Sequence, residues 1–351
     1  MHKILKTTVA ALGLAALCLP LVSQSRERLS RACRGEVVKL CGRDRSKILS
    51  CLQTQFTELN TQCQDEIWSR AEARLKKDRS RNSRLYDRQA QVKPTQTIAF
   101  GSDERQQIDF YAAGDAPSDP GFNRPLVPFV HGGGWSIGNR KAVQNKPAHF
   151  TKNGFHFAST GYRLLPDAPV EQQARDVGMA VQTLYRQAAS LGIDREKIVI
   201  MGHSAGAHLA ALISTDPQYA GEAFGSIKGA ILLDGAGYDV AAQLDGSRRT
   251  ELPGLYRRAF GDDPARHMAL SPISHVAGQT ADEWLILHVA DRENSTFRST
   301  EFGAALKGVG RNVAVTSISG TDHGRMNREI GTEKGAPTTE AIDHFLARVL
   351  S

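Results

Sequence analysis

The stretch Ile198–Leu209, which reads Ile-Val-Ile-Met-Gly-His-Ser-Ala-Gly-Ala-His-Leu, decides how this chain folds. Its first four residues are apolar and predict a buried strand, and the residues from His208 to Ile213 predict a helix. A turn as tight as Gly-x-Ser-x-Gly between a strand and a helix needs small residues beside the serine and holds it in a strained conformation. We therefore expect the hydroxyl of Ser204 to point into a cleft above a sheet.

A glycine-rich segment, His131–Trp135, follows a second apolar run at Leu126–Val130. Three glycines let the backbone approach a bound molecule closely and turn its N–H groups inward. We expect the N–H groups of Gly133, Gly134 and Ala205 to form an oxyanion hole beside the serine. A flexible glycine turn after a buried strand is the alternative.

Together these motifs resemble an α/β-hydrolase of the arylformamidase and hormone-sensitive-lipase-like esterase group. The matching pieces occur in the order of that family, and they are His131–Trp135, Gly138, Gly161–Pro166, Asp176 and Gly202–Leu209. The longer match around the serine is closest to kynurenine formamidase-like esterases. The resemblance implies an α/β fold, with a mostly parallel central sheet flanked by helices, and the hydrolysis of acyl esters or amides.

A nucleophilic serine needs a base and a carboxylate that orients the base, and in this fold the acid precedes the histidine along the chain. The run Trp284–Ala290 predicts a strand that ends at Asp291, and Val313–Ile318 predicts a strand shortly before His323. Such positions, past the carboxyl ends of strands, are where α/β sheets place their sites. We assign His323 as the base and Asp291 as its orienting acid. Glu293 is a rival acid, because the family's usual glycine before the acid is absent.

Three side chains beside the motifs are candidates for the substrate pocket, namely His131, Trp135 and His203, although each of them could instead pack or bond locally. The histidines are scattered, and neither His-Glu-x-x-His nor a paired Cys-x-x-Cys spacing occurs. There is also no Gly-x-Gly-x-x-Gly after a strand and no Walker loop. We expect no metal and no cofactor.

The amino terminus, residues 1–25, has the features of a secretory signal peptide. Lysines precede an apolar stretch from Thr7 to Val22, and the small residues Ser23 and Ser25 follow it. The apolar run is too short to span a bilayer comfortably. We expect export to the periplasm or the medium, with an uncleaved anchor or a lipoprotein attached at Cys18 as alternatives.

Four cysteines cluster in residues 26–68, and on an exported chain they predict two disulfides. Apolar periodicity predicts two helices joined by a turn at 42–46, and an antiparallel hairpin would pair Cys41 with Cys51 and Cys33 with Cys63. Sequence alone allows three pairings. The segment resembles the cysteine-rich repeat of Golgi glycoprotein 1. A zinc site is the alternative, although the spacings suit metal ligation poorly.

Charge is distributed unevenly over the domains. The formal net charge is +7, yet residues 69–93 hold nine Lys and Arg against three Asp and Glu, and the remainder from 94 onward is slightly acidic. We expect a basic helix or linker there, either simply solvated or, through residues 70–93, in weak contact with an anionic surface. Its near lack of aromatic residues argues against nucleic-acid binding. Residues 94–351 form the predicted catalytic domain, with a small lid at about 235–280.

The sequence therefore predicts an exported serine hydrolase whose partners are small acyl ester or amide substrates. We rank short acyl esters first, because the lid is small and lacks a long apolar face. Hydrolysis of N-formylkynurenine by an arylformamidase is the rival activity, and a non-catalytic binding protein is the rival class. The oligomeric state is left open.

Overall fold

The computed structural model describes residues 29–42, 44, 59–60, 62–63, 66–67, 92–114, 123–245 and 253–350. These residues belong to two compact units. One contains the described residues up to 67 together with 253–262, and the other contains 92–245 and 263–350. The predicted signal peptide and nearly all of the basic segment 69–93 lie outside the described residues, so both stay predictions.

A single sheet of eight strands runs through the second unit in the part of the chain described. The strands are β1 (Gln96–Ala99), β2 (Gln107–Tyr111), β3 (Arg124–Val130), β4 (His156–Thr160), β5 (Ile193–His203), β6 (Ile227–Leu233), β7 (Glu283–Val289) and β8 (Asn312–Ile318). Their order is β1-β2-β4-β3-β5-β6-β7-β8. The pairs β1–β2 and β2–β4 are antiparallel, whereas every later pair is parallel.

Helices connect the strands. The α-helices are α1 (Arg31–Cys41), α2 (Lys146–Lys152), α3 (Val170–Arg186), α4 (Ala188–Leu191), α5 (Ala205–Thr215), α6 (Pro217–Ala220), α7 (Val240–Leu244), α8 (Pro253–Phe260), α9 (Pro264–Ala269), α10 (Glu293–Gly308), α11 (His323–Arg328) and α12 (Ala336–Val349). Short 3-10 helices cover Gly221–Ser226, Pro272–His275 and Glu333–Gly335. Among the described residues, no helix is both long and apolar enough to cross a membrane.

The central strands are buried on both faces of the sheet. Leu126 and Ile198 point into one apolar core, whereas Val127 and Val199, their neighbours along the chain, point into another. Parallel sheets are covered by helices on both sides, so their strands are continuously apolar instead of alternating. This explains why the runs that the sequence analysis identified are unbroken.

Strand register brings the carboxyl ends of β5 and β6 to the same level, near the end of β7. His203, the last residue of β5, is paired with Leu233, the last residue of β6, and Leu233 is paired with Leu287 of β7. The residues that directly follow β5 and β6 are Ser204 and Asp234. The sheet therefore sets these two residues side by side.

In the first unit, a disulfide joins Cys33 of α1 to Cys63, with their Cα atoms 5.0 Å apart. This confirms the predicted pairing of these two cysteines. Cys41 is also disulfide-bonded, but Cys51 lies outside the described residues, so the Cys41–Cys51 pairing stays a prediction. The resemblance to the Golgi glycoprotein 1 repeat stays one as well.

The region predicted as a lid, 235–280, contains several short helices. Helices α7 and α9 and the 3-10 turn Pro272–His275 belong to the second unit, whereas 253–262, with α8, is grouped with the first. Residues 246–252 lie outside the description. The function of this region as a lid stays a prediction.

Gly206 allows α5 to begin directly against the end of β3. A Cβ atom at this position would lie 2.2 Å from the carbonyl oxygen of Val130 and 2.5 Å from that of His131. We expect Gly206→Ala to lower the free energy of unfolding by about 1–3 kcal/mol, because the backbone has to move apart. Urea unfolding measures this.

The matched control is Gly225→Ala, whose added Cβ would meet nothing within 4 Å. We expect its unfolding free energy to stay within about 0.5 kcal/mol of the parent. Equal unfolding midpoints for the two variants would contradict the close approach of α5 to β3.

Candidate active site

Ser204 occupies a strained turn between β5 and α5, with φ 55° and ψ −121°. A non-glycine residue in such a conformation costs on the order of 1–3 kcal/mol. The turn is held because the Ser204 N–H donates to the carbonyl of Leu233 at 3.0 Å. Gly202 has to be a glycine, since a Cβ there would lie 2.2 Å from the Gly206 carbonyl oxygen. The local sequence thus produces the tight turn that it predicts.

His323 begins helix α11 and contacts the serine. Its Nε2 lies 3.0 Å from Ser204 Oγ. Asp322 caps the helix by accepting from the N–H groups of Gly324 and Arg325. His203 Nε2 lies 2.8 Å from the His323 carbonyl oxygen and donates to it, and the two rings are 4.6 Å apart. His203, a pocket candidate, therefore holds the backbone of His323 in place.

The carboxylate at His323 belongs to Asp234, which directly follows β6. Asp234 Oδ2 lies 2.6 Å from His323 Nδ1, and the Asp234 side chain is completely buried. Its other donors are the Val289 N–H at 3.2 Å, Ser295 Oγ at 2.5 Å and the Arg292 guanidinium. Burial alone would raise the pKa of Asp234, but the hydrogen bonds from His323 and Ser295, with the positive charge of Arg292, lower it below its ordinary value. The carboxylate is therefore ionised.

This geometry corrects the assignment of Asp291 as the orienting acid. Asp291 and its rival Glu293 are both exposed, at the point where the chain leaves β7 and enters α10. Asp234 occupies the position because β6 lies next to β5, and its last residue is level with His203. A sequence signal for Asp234 existed, since this aspartate directly follows an apolar strand. Arg292 and Ser295 carried no such signal.

The glycine loop lies against the serine turn. A Cβ on Gly132 would be 3.0 Å from that of Ser204. Gly133 and Gly134 have φ values of 130° and 55°, and a Cβ on Gly133 would lie 2.0 Å from the Ile137 carbonyl oxygen. Ala205 is the first residue of α5, where backbone N–H groups have no acceptor within the helix. The structure therefore brings the loop and this helix end to one place.

Trp135 and His131, the other two pocket candidates, are almost completely buried. Trp135 Nε1 donates to His208 Nδ1 at 3.3 Å, and His208 Nε2 lies 2.8 Å from the Leu270 carbonyl oxygen. His131 stacks on Tyr162 with ring centres 4.3 Å apart, and the Tyr162 hydroxyl donates to the His131 carbonyl at 2.7 Å. These contacts hold both ends of the glycine loop in place. A contact of either side chain with substrate stays a prediction.

Lys146 is a fully buried lysine that the sequence analysis did not identify. Its Nζ donates to the carbonyl of Asn327 at 2.7 Å, in the last turn of the helix that begins with His323. Gln144 Oε1 at 3.3 Å and the Val143 carbonyl at 3.5 Å are further acceptors, and all three are neutral. Burial lowers the pKa of Lys146 from 10.5 to about 7.

Burial also lowers the pKa of each histidine that supports the site. The pKa of His203 falls to about 3, through burial first and then the nearby His323, and the pKa values of His131 and His208 fall to about 4. These three rings are neutral near pH 7. No group of three or more potential metal ligands occurs among the residues that the structure describes.

Comparison with known proteins identifies the family of the chain. Residues 109–292, more than half of the chain, match the BD-FAE family. The chain belongs to the BD-FAE family. Kynurenine formamidase of Danio rerio is 27% identical over 230 residues, which cover 64% of this chain and 73% of that protein. Esterase LipC of Mycobacterium tuberculosis is 28% identical over 267 residues, covering 72% of this chain and 64% of that protein.

A solved structure is also similar. The thermophilic esterase of Thermogutta terrifontis with propionate bound superposes with a TM-score of 0.59 at 25% identity, covering 72% of this chain and 94% of that one. The BD-FAE chain described here therefore has the α/β-hydrolase fold that its sequence predicts, and it is a hydrolase of the esterase group.

The buried charge of Lys146 should make stability depend on pH. Below about pH 7 the lysine is protonated in both the folded and the unfolded chain, so the full cost of burying the charge is present. Between about 7 and 10.5 the unfolded chain binds more protons, and stability rises with pH. We expect Lys146→Met to be more stable than the parent by about 1–4 kcal/mol near pH 6, and the difference to shrink towards pH 9.

Urea unfolding at several pH values measures this difference. Lys152→Met is the matched control, because Lys152 lies on the same helix but is exposed. Its unfolding free energy should follow that of the parent at every pH. A difference between Lys146→Met and the parent that does not change with pH would contradict the buried ionisation.

Proposed function

We propose that this BD-FAE member is an exported serine hydrolase that cleaves short acyl esters, with Ser204 as nucleophile, His323 as base and Asp234 as orienting acid. One observation carries the proposal. The His323 ring lies between the other two side chains, 3.0 Å from the Ser204 hydroxyl and 2.6 Å from the Asp234 carboxylate. These are the contacts that a nucleophile, its base and an orienting acid require.

The first half of the reaction transfers the acyl group to the enzyme. With its Nδ1 proton donated to ionised Asp234, His323 has a lone pair at Nε2 that accepts the proton of the Ser204 hydroxyl. The serine oxygen attacks the substrate carbonyl carbon, and the carbonyl oxygen becomes an oxyanion. As the intermediate collapses, the alcohol leaves with the proton from Nε2, and an acyl-serine ester remains.

The oxyanion would bind to backbone N–H groups. Gly133 and Gly134 lie in the loop packed on the serine turn, and Ala205 contributes the first N–H of α5. Donors fixed before the reaction begins stabilise the developing charge without reorganising, and each is worth on the order of 3 kcal/mol. Water, deprotonated by His323 Nε2, then attacks the acyl carbon; as this second intermediate collapses, Ser204 Oγ leaves with the proton from Nε2 and the acid is released.

Short acyl groups are the proposed substrates. Trp135 directly follows the glycine loop, and its indole is buried against His208, so it is placed to close off space beside the oxyanion site. The Thermogutta terrifontis esterase was solved with propionate, a three-carbon acid. A small acyl group suits such a site better than a long lipid chain.

Arylformamidase activity is the second candidate, since a formyl group is the smallest acyl group and kynurenine formamidase is among the similar proteins. Export favours the esterase, because N-formylkynurenine arises in tryptophan breakdown, which is normally intracellular. Two observations support export to the periplasm or the medium. The amino terminus has the pattern of a signal peptide, and Cys33 and Cys63 form a disulfide, as expected in an oxidising compartment.

Substitutions at the two aspartates test the assignment of the acid. Asp234→Asn should lower kcat by about 10⁴, because a neutral amide no longer selects the productive histidine tautomer. Asp291→Asn, the matched control, should keep kcat within about twofold, since Asp291 is exposed. Steady-state hydrolysis of p-nitrophenyl acetate measures both. Loss of activity in Asp291→Asn with activity kept in Asp234→Asn would restore the assignment from sequence.

Ser204→Ala tests whether the chain is a serine hydrolase at all. We expect turnover to fall by about 10⁴–10⁶, with an unchanged unfolding midpoint or a slightly higher one, since alanine takes the same space. A fluorophosphonate probe should label the parent at Ser204 and leave the variant unlabelled. A folded parent that the probe does not label would favour a non-catalytic binding protein.

The acyl preference separates the two activities. We expect kcat/KM to be highest for acetyl or butyryl p-nitrophenyl esters and at least about tenfold lower for the decanoyl ester, because a short pocket excludes the longer chain. N-formylkynurenine is assayed beside them. A maximum at decanoyl would refute the preference for short chains, and a formamide rate above every ester rate would make the chain an arylformamidase.

A further inference from the structure

Arg292 contacts both Asp234 and His323, but the proposed mechanism gives it no role. It lies between β7 and α10, directly after the exposed Asp291. One guanidinium nitrogen, Nη1, donates to Asp234 Oδ2 and lies 2.8 Å from His323 Nδ1. The same carboxylate oxygen accepts from His323 Nδ1 at 2.6 Å. Two donors thus converge on one oxygen.

We propose that Arg292 is a positioning residue: its guanidinium keeps the buried Asp234 carboxylate ionised and so selects the His323 tautomer that can accept the proton of Ser204. This inference rests on the proposed function, because it assigns Arg292 a role within that relay.

The Asp234 carboxylate needs a permanent positive charge beside it to stay ionised. The Asp234 side chain is completely buried, and a buried carboxyl group becomes neutral unless nearby charges and hydrogen bonds favour its ion. Val289 and Ser295 supply neutral donors to Oδ1. The charge on His323 appears and disappears during the reaction, whereas an arginine stays charged at every working pH. Arg292 therefore gives Asp234 a cationic partner while His323 is neutral.

The ionisation of Asp234 also decides which nitrogen of His323 carries the ring proton. A neutral Asp234 carboxyl would donate its proton to Nδ1 of His323, and the ring proton would then lie on Nε2, facing Ser204. In that state His323 is not a base. A guanidinium is donor only, and a donor 2.8 Å from a bare Nδ1 would favour the other tautomer. Nδ1 lies closer, at 2.6 Å, to Asp234 Oδ2, to which Nη1 also donates. Arg292 therefore stabilises the ionised carboxylate, and that carboxylate accepts from the protonated Nδ1, which leaves the Nη1–Nδ1 approach a contact between two donors. By keeping Asp234 ionised, the charge on Arg292 thus keeps the ring proton of His323 on Nδ1.

Within the described part of the chain, the titratable and charged groups that face Asp234 come from three elements. They are His203 at the end of β5, Arg292 at the start of α10 and His323 at the start of α11. Burial first, and then the nearby His323 and Lys146, lower the pKa of His203 to about 3, so His203 is neutral. When the charge of Arg292 is removed, Asp234 loses its permanent cationic partner, and the carboxyl should become protonated at a higher pH than in the parent.

The test is the pH dependence of p-nitrophenyl acetate hydrolysis in Arg292→Met and Arg292→Lys. Arg292→Met should lower kcat by about 10- to 100-fold with KM within about twofold, and it should move the acid limb of kcat/KM to higher pH by about one unit. Arg292→Lys, which keeps the charge but not the planar fork, should leave the acid limb in place and recover most of kcat.

Arg311→Met is the matched control. Its side chain is 27% exposed, as is that of Arg292, and it pairs with Asp282 away from the relay. Its kcat and acid limb should be those of the parent. If Arg292→Met does not fold, Arg292→Gln takes its place, with the same criteria for kcat and the acid limb.

Two results would overturn the inference. One is an unmoved acid limb and parental kcat in the uncharged variant. The other is a raised KM with parental kcat, which would make Arg292 a substrate-binding residue instead. Failure of the proposed function looks different, because Ser204→Ala and Asp234→Asn would then keep their activity. If those two are inactive and Arg292→Met matches the parent, only the role of Arg292 is wrong.

Discussion

The hydrogen bond from the Ser204 N–H to the Leu233 carbonyl ties the serine turn to the end of β6, and the rest of the site depends on it. It continues the parallel register in which His203 is level with Leu233, so the next residue of β6, Asp234, lies beside the serine. Both residues have positive φ, 55° and 44°, at a cost on the order of 1–3 kcal/mol each. The buried carboxyl-terminal halves of β5 and β6 hold both turns in place.

Burial then decides which groups are ionised. His131, His203 and His208 are enclosed and held neutral, which leaves them as supports for the loop and for the backbone of His323. His323 is 39% exposed, so its ring can meet substrate and exchange a proton. The environment, more than the residue type, therefore distinguishes His323 from the three neighbouring histidines.

Much of this arrangement could be predicted from the sequence, because a serine between two glycines after an apolar strand is typical of one tight turn. Backbone contacts at Gly202 and Gly206 leave no room for a Cβ, which fixes the turn around Ser204. Of the three pairings that the sequence allows, the hairpin predicted from helical periodicity favours the one that joins Cys33 to Cys63, and this disulfide is observed. The acid could not be chosen in this way. Two strands after the serine are followed by an aspartate, Asp234 directly and Asp291 one residue later, and chain order admits both. Only the pairing register of the strands shows which of the two aspartates lies beside His323. A local sequence pattern does not reveal the register between segments that are distant along the chain. Lys146 was missed for the same reason, since its partner Asn327 is 181 residues away.

Because Asp234 directly follows β6, the loop and helix after β7 contribute side chains that contact its carboxylate. That loop leads into α10, a helix of 16 residues, and its first turn contributes Ser295 to the carboxylate of Asp234. The positive end of a helix stabilises an anion placed there, and Arg292, directly before the helix, adds a full charge. An aspartate at the end of β7 would have to turn back from solvent to reach His323, as the exposure of Asp291 indicates. Because Asp234 lies one strand closer to Ser204 than Asp291 does, the loop and helix after β7 supply the charge of Arg292 and the hydroxyl of Ser295 to the Asp234 carboxylate. Each loop at the carboxyl ends of these strands therefore contributes a different group beside Ser204.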